Sequence, residues 1–308
     1  MPQLTARARP AARPRRGLTL VEMMIVIVVL GIVATTLTRI ITRQQRFFRD
    51  ASETVVVRRE LRKGASLLPT DLRAISTAGG DLLEAAPSRF AMRATIGSGI
   101  VCDRGTQSVD LVPLDLPNHT LTAWYAAPQV DDTVFVFNEG AEDGARDDSW
   151  SKHAVVAAPD LDPSYCSGTP FVAPADAGLP KIRLTLSGTV PADVRIGAAV
   201  RITRPVRYSV YQPSGSADWY LAYEEHSAAG WTEPQPIAGP LAAATGPRFT
   251  YYDTLGVART PSTPAELTNV ARVDVRLRAA GRTDAMGIRG GAPMVDSLNL
   301  RIGIRNFR

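Results

Sequence analysis

Residues 15–37 read RRGLTLVEMMIVIVVLGIVATTL, and the twenty residues from Leu18 to Leu37 carry one charged side chain, Glu22. A helix of this length spans about 30 Å, which matches the hydrocarbon core of a bilayer. The segment lacks the small residues at an A-x-A-like site that usually end a secretory signal peptide. The stretch therefore predicts a membrane-spanning helix that ordinary signal-peptide processing does not remove.

Positive charge is concentrated ahead of this helix. The chain has 308 residues, 35 of them basic and 30 acidic. Residues 1–17 contain five arginines and no acid, so the remaining chain has 30 basic and 30 acidic residues. This distribution argues against a nucleic-acid partner. The positive-inside rule favours a cytoplasmic leader and an exported globular domain. In a cell with two membranes, the helix would then lie in the inner membrane and the domain in the periplasm.

The composition indicates a globular domain and gives no sign of chemistry. Hydrophobic residues make up 45% of the chain, enough for a full-sized core. Two cysteines and three scattered histidines exclude a disulfide-dense miniprotein and a zinc-cluster protein. The chain has no H-E-x-x-H, G-x-S-x-G or phosphate-loop motif. We therefore expect no catalytic residue, cofactor or metal ion.

Glu22 is unusual, because a carboxylate at the centre of a bilayer costs about 2.5 to 3.5 kcal/mol. One interpretation places Glu22 near the membrane face, where it extends to water and is stabilised by the helix dipole. The other depends on the residues before it, R15-R16-G17-L18-T19-L20-V21-E22. In that arrangement an arginine pair and a glycine precede an apolar helix with glutamate at its fifth position.

This arrangement resembles the type IV prepilin family. The resemblance implies that a membrane-bound prepilin peptidase cuts after Gly17 and methylates the new amino group of Leu18. It also implies that Glu22 assists assembly with other pilin or pseudopilin subunits, through the Leu18 helix and an inner-membrane assembly platform. The amine of one subunit could then neutralise Glu22 of a neighbour, since both charges would otherwise be buried at a cost.

The helix is expected to continue beyond the bilayer. No proline interrupts residues 18–68, and apolar residues recur from Val57 to Ile75 at steps of three and four. Residues 38–80 are thus predicted to form an amphipathic continuation, with a kink or break near Pro69 and a short helix capped by Thr70. Gly79 and Gly80 are expected to end the helical region.

After about residue 85 the apolar period changes to two, which is typical of half-buried strands. The clearest examples are residues 272–278 and 298–304; the other predicted strands begin at Phe90, Thr133, Lys181, Ala199, Trp219 and Phe249. The predicted fold class is α+β and pilin-like, a long amino-terminal helix packed on a mainly antiparallel sheet. Its predicted parts are the leader 1–17, the membrane helix 18–37, the continuation 38–80 and the exported domain 81–308.

The strands of residues 206–304 resemble those of W-type minor pilins and of J-type minor pseudopilins of type II secretion. Nothing comparable covers residues 85–195. The resemblance implies a low-copy tip or initiation subunit of a type IV pilus or a secretion pseudopilus. The alternative function is a single-pass membrane-anchored domain with an uncut leader, which binds a ligand or performs catalysis in the periplasm.

Three further features leave alternatives open. Cys102 and Cys166 are expected to form a disulfide if the domain is exported, and otherwise are two separate buried thiols. The acidic loop 138–148 is interpreted as a solvated hairpin tip or, less in keeping with its spacing, a calcium site. Four arginines between residues 39 and 49 share one helical face, which either lies at the lipid headgroups or contacts acidic surfaces of neighbouring subunits.

Overall fold

The computed structural model describes residue 17 and residues 19–113, 122–140, 147–242, 248–284 and 293–304. Its main helix, α1, runs from Leu20 to Ala74 and packs against a large antiparallel sheet. A second helix, α2, covers Pro264–Leu267, and a single 3-10 turn covers Pro174–Asp176. The α+β fold class predicted from the sequence is confirmed.

The strands differ widely in length, from two residues in β4 to sixteen in β2. In the first half of the chain they are β1 Leu82–Ala86, β2 Arg89–Arg104, β3 Ser108–Leu111, β4 Ala123–Trp124, β5 Thr133–Asn138, β6 Ser149–Ala154, β7 Asp160–Asp162 and β8 Lys181–Thr185. In the second half they are β9 Ala199–Tyr211, β10 Trp219–Ser227, β11 Gly230–Trp231, β12 Gln235–Leu241, β13 Arg248–Asp253, β14 Ala258–Arg259, β15 Val270–Asp284 and β16 Pro293–Gly303.

These strands form one antiparallel network with the order β14-β13-β15-β12-β10-β9-β2-β3-β8-β7. Strand β16 pairs with β15, and the β5–β6 hairpin joins the sheet along β9. Strands β2 and β9 pair over residues 89–100 and 199–209. This long pair forms the centre of the fold, because strands on both sides of the molecule are attached to it.

Two hydrophobic cores lie along the β2–β9 pair. The first, which we call the helix lobe, contains α1 from Val57 onward and its neighbouring strands. The second, the distal lobe, is built from strands between Ile96 and Ile202. Phe90 and Val206 belong to the first core, whereas the other ends of the same two strands belong to the second. The distal lobe covers much the same part of the chain as the region without any family resemblance.

A buried ion pair joins β9 to the turn before β5, close to the junction of the lobes. The Nε and Nη2 atoms of Arg204 on β9 each donate to a different carboxylate oxygen of Asp132, both at 2.9 Å. Nη2 also donates to the carbonyl of Ala127 at 2.9 Å. Both side chains are buried, so their charges depend on each other for compensation.

Helix α1 continues through Pro69 to Ala74. Of the predicted kink or break, the break is therefore wrong, and so is the separate short helix capped by Thr70. Pro69 has no N–H to donate to the carbonyl of Ala65, so one helical hydrogen bond is missing. Leu68 and Leu72, on either side of it, are fully buried against the sheet and hold the helix in place. The Thr70 hydroxyl donates to the carbonyl of Ser66 at 3.1 Å instead of capping a new helix.

The second half of α1 lies against β12, β15 and β16. Gly64 marks the closest approach, because a Cβ atom there would lie 2.9 Å from Cδ1 of Leu277. The buried residues Val57, Leu61, Gly64, Leu68 and Leu72 recur at steps of three and four, so one stripe of the helix faces the sheet. The opposite side of this part of the helix is left to solvent.

Replacing Leu68 with Ala should lower the free energy of unfolding by about 2 to 5 kcal/mol, because it leaves a cavity in the helix lobe. Leu67→Ala is the matched control, since the neighbouring Leu67 is 43% exposed. It should change stability by about 0.5 kcal/mol or less. Denaturant unfolding of the full chain in detergent measures both values. Equal losses in the two variants would contradict the packing described here.

A polar contact also connects α1 with the sheet. The hydroxyl of Tyr208 on β9 donates to the carboxylate of Asp71. Burial raises the pKa of Asp71 above its ordinary value of 3.8, and this hydrogen bond partly offsets the rise. When folding raises the pKa of a carboxyl group, the protonated group stabilises the folded chain, and this contribution is complete at pH values below the pKa of the unfolded chain. The contribution to the free energy of unfolding is lost as the pH rises through the higher pKa of the folded chain.

We therefore expect Asp71→Asn to flatten the dependence of stability on pH. Between the unfolded pKa near 3.8 and neutral pH, the wild-type chain should lose stability relative to the variant as the pH rises. Denaturant unfolding at a series of pH values measures the difference, with the exposed Asp103→Asn as the control for charge. A wild-type chain that gains stability over Asp71→Asn as the pH rises would overturn this account.

Candidate functional site

The first half of α1 has no protein packed against it among the described residues. Every side chain from Leu20 to Arg49 is exposed, including a run of large apolar residues that begins with Leu20 and continues beyond Leu37 to Ile41. This helix is long and apolar enough to cross a membrane, and none of its most apolar window is buried. Such a surface is stable only in lipid or against other apolar helices.

The start of α1 is fixed by a capping box. Thr19 is the N-cap, and its hydroxyl oxygen accepts a hydrogen bond from the backbone N–H of Glu22 at 3.2 Å. The carboxylate of Glu22 in turn accepts from the backbone N–H of Thr19 at 3.4 Å. Two backbone donors that the helix end would leave unpaired are thus satisfied. Glu22 also lies at the positive end of the helix dipole.

Thr19 is the functional residue that the analysis of the sequence missed. The signal was present as T-x-x-E at the start of an apolar run, which is the pattern of a capping box. This geometry is compatible with both interpretations of Glu22. In one the helix dipole stabilises its charge, and in the other the amine of a neighbouring subunit neutralises it. The contact between Glu22 and Thr19 is with a neutral amide, so the negative charge is oriented without being neutralised.

Gly17 lies outside the helix, two residues before the N-cap, and Leu18 lies outside the described residues. A Cβ atom added to Gly17 would meet no other atom within 4 Å. Among the described residues, therefore, nothing crowds this position in a way that would require glycine.

The arginine stripe follows the apolar surface. Its four members are all exposed: Arg39, Arg43, Arg46 and Arg49. Phe47 and Phe48 stand between the last two arginines, are more than 60% exposed, and contact each other edge to face. Aromatic and basic residues together are typical of the boundary between membrane and water. This arrangement favours the headgroup interpretation of the stripe.

Cys102 and Cys166 are joined by a disulfide in the distal lobe, with their Cα atoms 5.3 Å apart. Cys102 belongs to β2, and Cys166 lies in the turn after β7. Both are buried beside Val112 and form a small core of their own. Of the two alternatives for these cysteines, the structure contains the bonded one.

The remaining candidates do not form a reactive centre in the part of the chain that the structure describes. His153 is buried, and its Nδ1 lies 2.9 Å from the carbonyl oxygen of Ser187. His226 contacts the Trp231 ring edge to face. His119 and residues 141–146 of the acidic loop lie outside the described residues. No group of three His, Cys, Asp or Glu side chains among those described is placed to hold a metal ion.

Comparison with known proteins finds a family motif in the amino-terminal segment. Residues 12–38 match the family model described as the prokaryotic N-terminal methylation motif. This match supports a type IV prepilin-like family for the chain and confirms the resemblance of the amino-terminal segment to that family. No curated protein and no solved structure matches the chain. The resemblance of the carboxyl-terminal strands to W-type and J-type minor subunits stays a prediction.

Removing the cap tests the geometry at the start of α1. We expect Thr19→Val to cost about 1 kcal/mol of local helix stability, because the N–H of Glu22 loses its acceptor. Amide hydrogen exchange of residues 20–23 in micelles should become faster. Thr36→Val is the control, since the Thr36 hydroxyl bonds only to the carbonyl of Ile32 within the helix. Unchanged exchange in Thr19→Val would show that the capping box does not hold this helix end.

Proposed function

We propose that this chain is a minor pilin or pseudopilin. It is made as a precursor held in the inner membrane, cut after Gly17, methylated at Leu18, and assembled into a type IV pilus or type II secretion pseudopilus. The observation that carries this proposal is the exposed apolar half of α1, which begins at a capped Glu22 within the matched methylation motif. The family match implies processing by prepilin peptidase and assembly with other subunits.

The glycine at position 17 supports cleavage at this point. Within the described part of the chain, no neighbouring atom crowds this position, so packing does not explain the glycine. A residue without a side chain allows a chain to pass closely through a protease cleft. The position also precedes the helix, where the backbone is not engaged in helical hydrogen bonds and is accessible.

The capping box supports a role for Glu22 in assembly. Its carboxylate is held at the amino-terminal end of α1 by the Thr19 amide, and that contact survives a cut after Gly17. When apolar helices pack side by side, an uncompensated carboxylate is costly, and an amine on the first residue of a neighbouring helix would offset that cost. Methylation keeps the positive charge of the amine, so the pairing is available to the modified subunit.

Two features of the globular domain, its disulfide and its second hydrophobic core, support export and a place at the tip. A disulfide in the distal lobe is typical of an oxidising compartment outside the cytoplasm. The distal lobe adds a second core beyond the one that packs on α1. A low-copy subunit at the tip or in initiation can carry such an additional lobe, because it need not repeat along the fibre.

Substitution of Glu22 separates this function from that of a simple anchor. We expect Glu22→Ala to insert into the membrane normally and to enter filaments about tenfold less or worse, because the neighbouring amine loses its partner. Sheared filaments and membranes from cells with the complete assembly system are compared by immunoblot. The matched control is Glu233→Ala, the same change at an exposed position of the domain. Undiminished incorporation of Glu22→Ala would count against the assembly role.

A further inference from the structure

A cleft of about 850 Å³ lies where the end of α1 meets the distal lobe. One wall is the segment after the helix, including Ser76 and Gly79, and the other is the outer face of the sheet. This volume lies within the range of sites that bind small organic molecules. No role in the proposed filament assembly involves this cleft, and an uncut anchored chain would carry it equally.

The sheet wall is a row of residues that the strand register places side by side. Lys152 on β6 pairs with Phe135 on β5, which pairs with Arg201 on β9, which pairs with Ser98 on β2. Residues paired across antiparallel strands project from the same face. All four line the cleft. The row is not visible in the sequence, because neighbouring members lie between 17 and 103 positions apart along the chain.

The arginine of this row is held by a buried carboxylate. Arg201 donates from Nη1 to Asp81 and from Nε to the hydroxyl of Thr95, both at 2.8 Å. Asp81 is fully buried, and the same oxygen accepts the backbone N–H of Ser76 at 2.7 Å. These contacts fix the orientation of the guanidinium and fasten the chain after α1 to the sheet.

The cleft nevertheless has more positive than negative charge. The charged neighbours that act on Lys152 are Arg93 and Asp81, so three cations stand near one carboxylate. Burial and the charge of Arg93 lower the pKa of the Lys152 ammonium. Among the described residues, Nη2 of Arg201 and Nε of Arg93 have no hydrogen-bond partner. Lys152 itself makes no ion pair within the described part of the chain.

Aromatic rings complete the cleft. The Phe135 ring lies 5.6 Å from the guanidinium carbon of Arg201 and is almost completely buried. Trp150, two residues before Lys152 on the same strand face, is 50% exposed and lines the opening. A half-exposed tryptophan beside an unpaired ammonium offers an apolar surface and a cation to the same ligand.

We propose that this cleft binds an organic acid, a carboxylate attached to an apolar or aromatic group. The carboxylate of the ligand contacts the Lys152 ammonium on the side that faces Arg201. The apolar group of the ligand packs on the Trp150 ring. The acid can be a free small molecule or an acidic side chain next to an apolar one on a neighbouring chain. Both sources present the same chemistry to the cleft.

The test uses the full chain in a non-ionic detergent and two pairs of probes. The first pair is 3-phenylpropionate and its neutral amide, and the second is the capped tripeptide Phe-Glu-Phe and its Gln counterpart. Binding is followed by calorimetry and by the change in tryptophan fluorescence. We expect at least one acid to bind while its neutral counterpart does not. Binding should weaken as the ionic strength rises.

Lys152→Gln should weaken binding about fivefold or more, because it removes the unpaired cation without touching the contacts between Arg201 and Asp81. Arg195→Gln is the matched control, the same loss of charge at an exposed arginine outside the cleft. All variants are compared in the same micelles, so partition of the probes into detergent cancels. Trp150→Leu should abolish the fluorescence change.

Each outcome decides the proposal. Tighter binding of the acidic peptide identifies a partner chain as the source, and tighter binding of phenylpropionate identifies a small molecule. Equal binding of acids and neutral counterparts, or equal effects of Lys152→Gln and Arg195→Gln, would overturn the proposal. Neither result depends on cleavage after Gly17, so failure here is distinct from failure of the proposed filament function.

Discussion

The fold depends on one helix that needs two different surroundings. From about Val57 onward, a stripe of α1 is buried against the sheet, and this packing holds the helix lobe together. Before residue 50 the same helix exposes apolar side chains on all sides. The hydrophobic effect favours removal of that surface from water, and only lipid or other helices can do so. In the proposed function, lipid covers this surface in the membrane-held precursor and other helices cover it in the filament.

The globular domain is organised by the long β2–β9 pair, which passes through both hydrophobic cores. The helix lobe anchors α1, whereas the distal lobe carries the disulfide and one wall of the basic cleft. Because the cleft lies at the junction, the contact of Arg201 with Asp81 connects the end of the helix to the distal lobe. A ligand in the cleft would bind close to the point where the end of α1 is connected to the distal lobe.

Local patterns predicted much of this structure, and nonlocal contacts explain the rest. The start of β9 at Ala199 was predicted correctly, because alternation and flanking turns are local features. The break at Pro69 was wrong, since burial of Leu68 and Leu72 outweighs one missing hydrogen bond. The cap at Thr19 was overlooked although its pattern is local. The row from Lys152 to Ser98 was beyond prediction, because strand register is set by tertiary pairing.

The most direct test of the central claim is the intact mass and amino-terminal sequence of the protein extracted from membranes of cells with their own prepilin peptidase. The account predicts a chain that begins at Leu18 and carries one methyl group on its terminal nitrogen. Gly17→Val in the same cells should leave the leader attached, while Gly31→Val, the same change within the helix, should not. A wild-type chain that retains Met1 and the leader would contradict the account and identify a single-pass anchor.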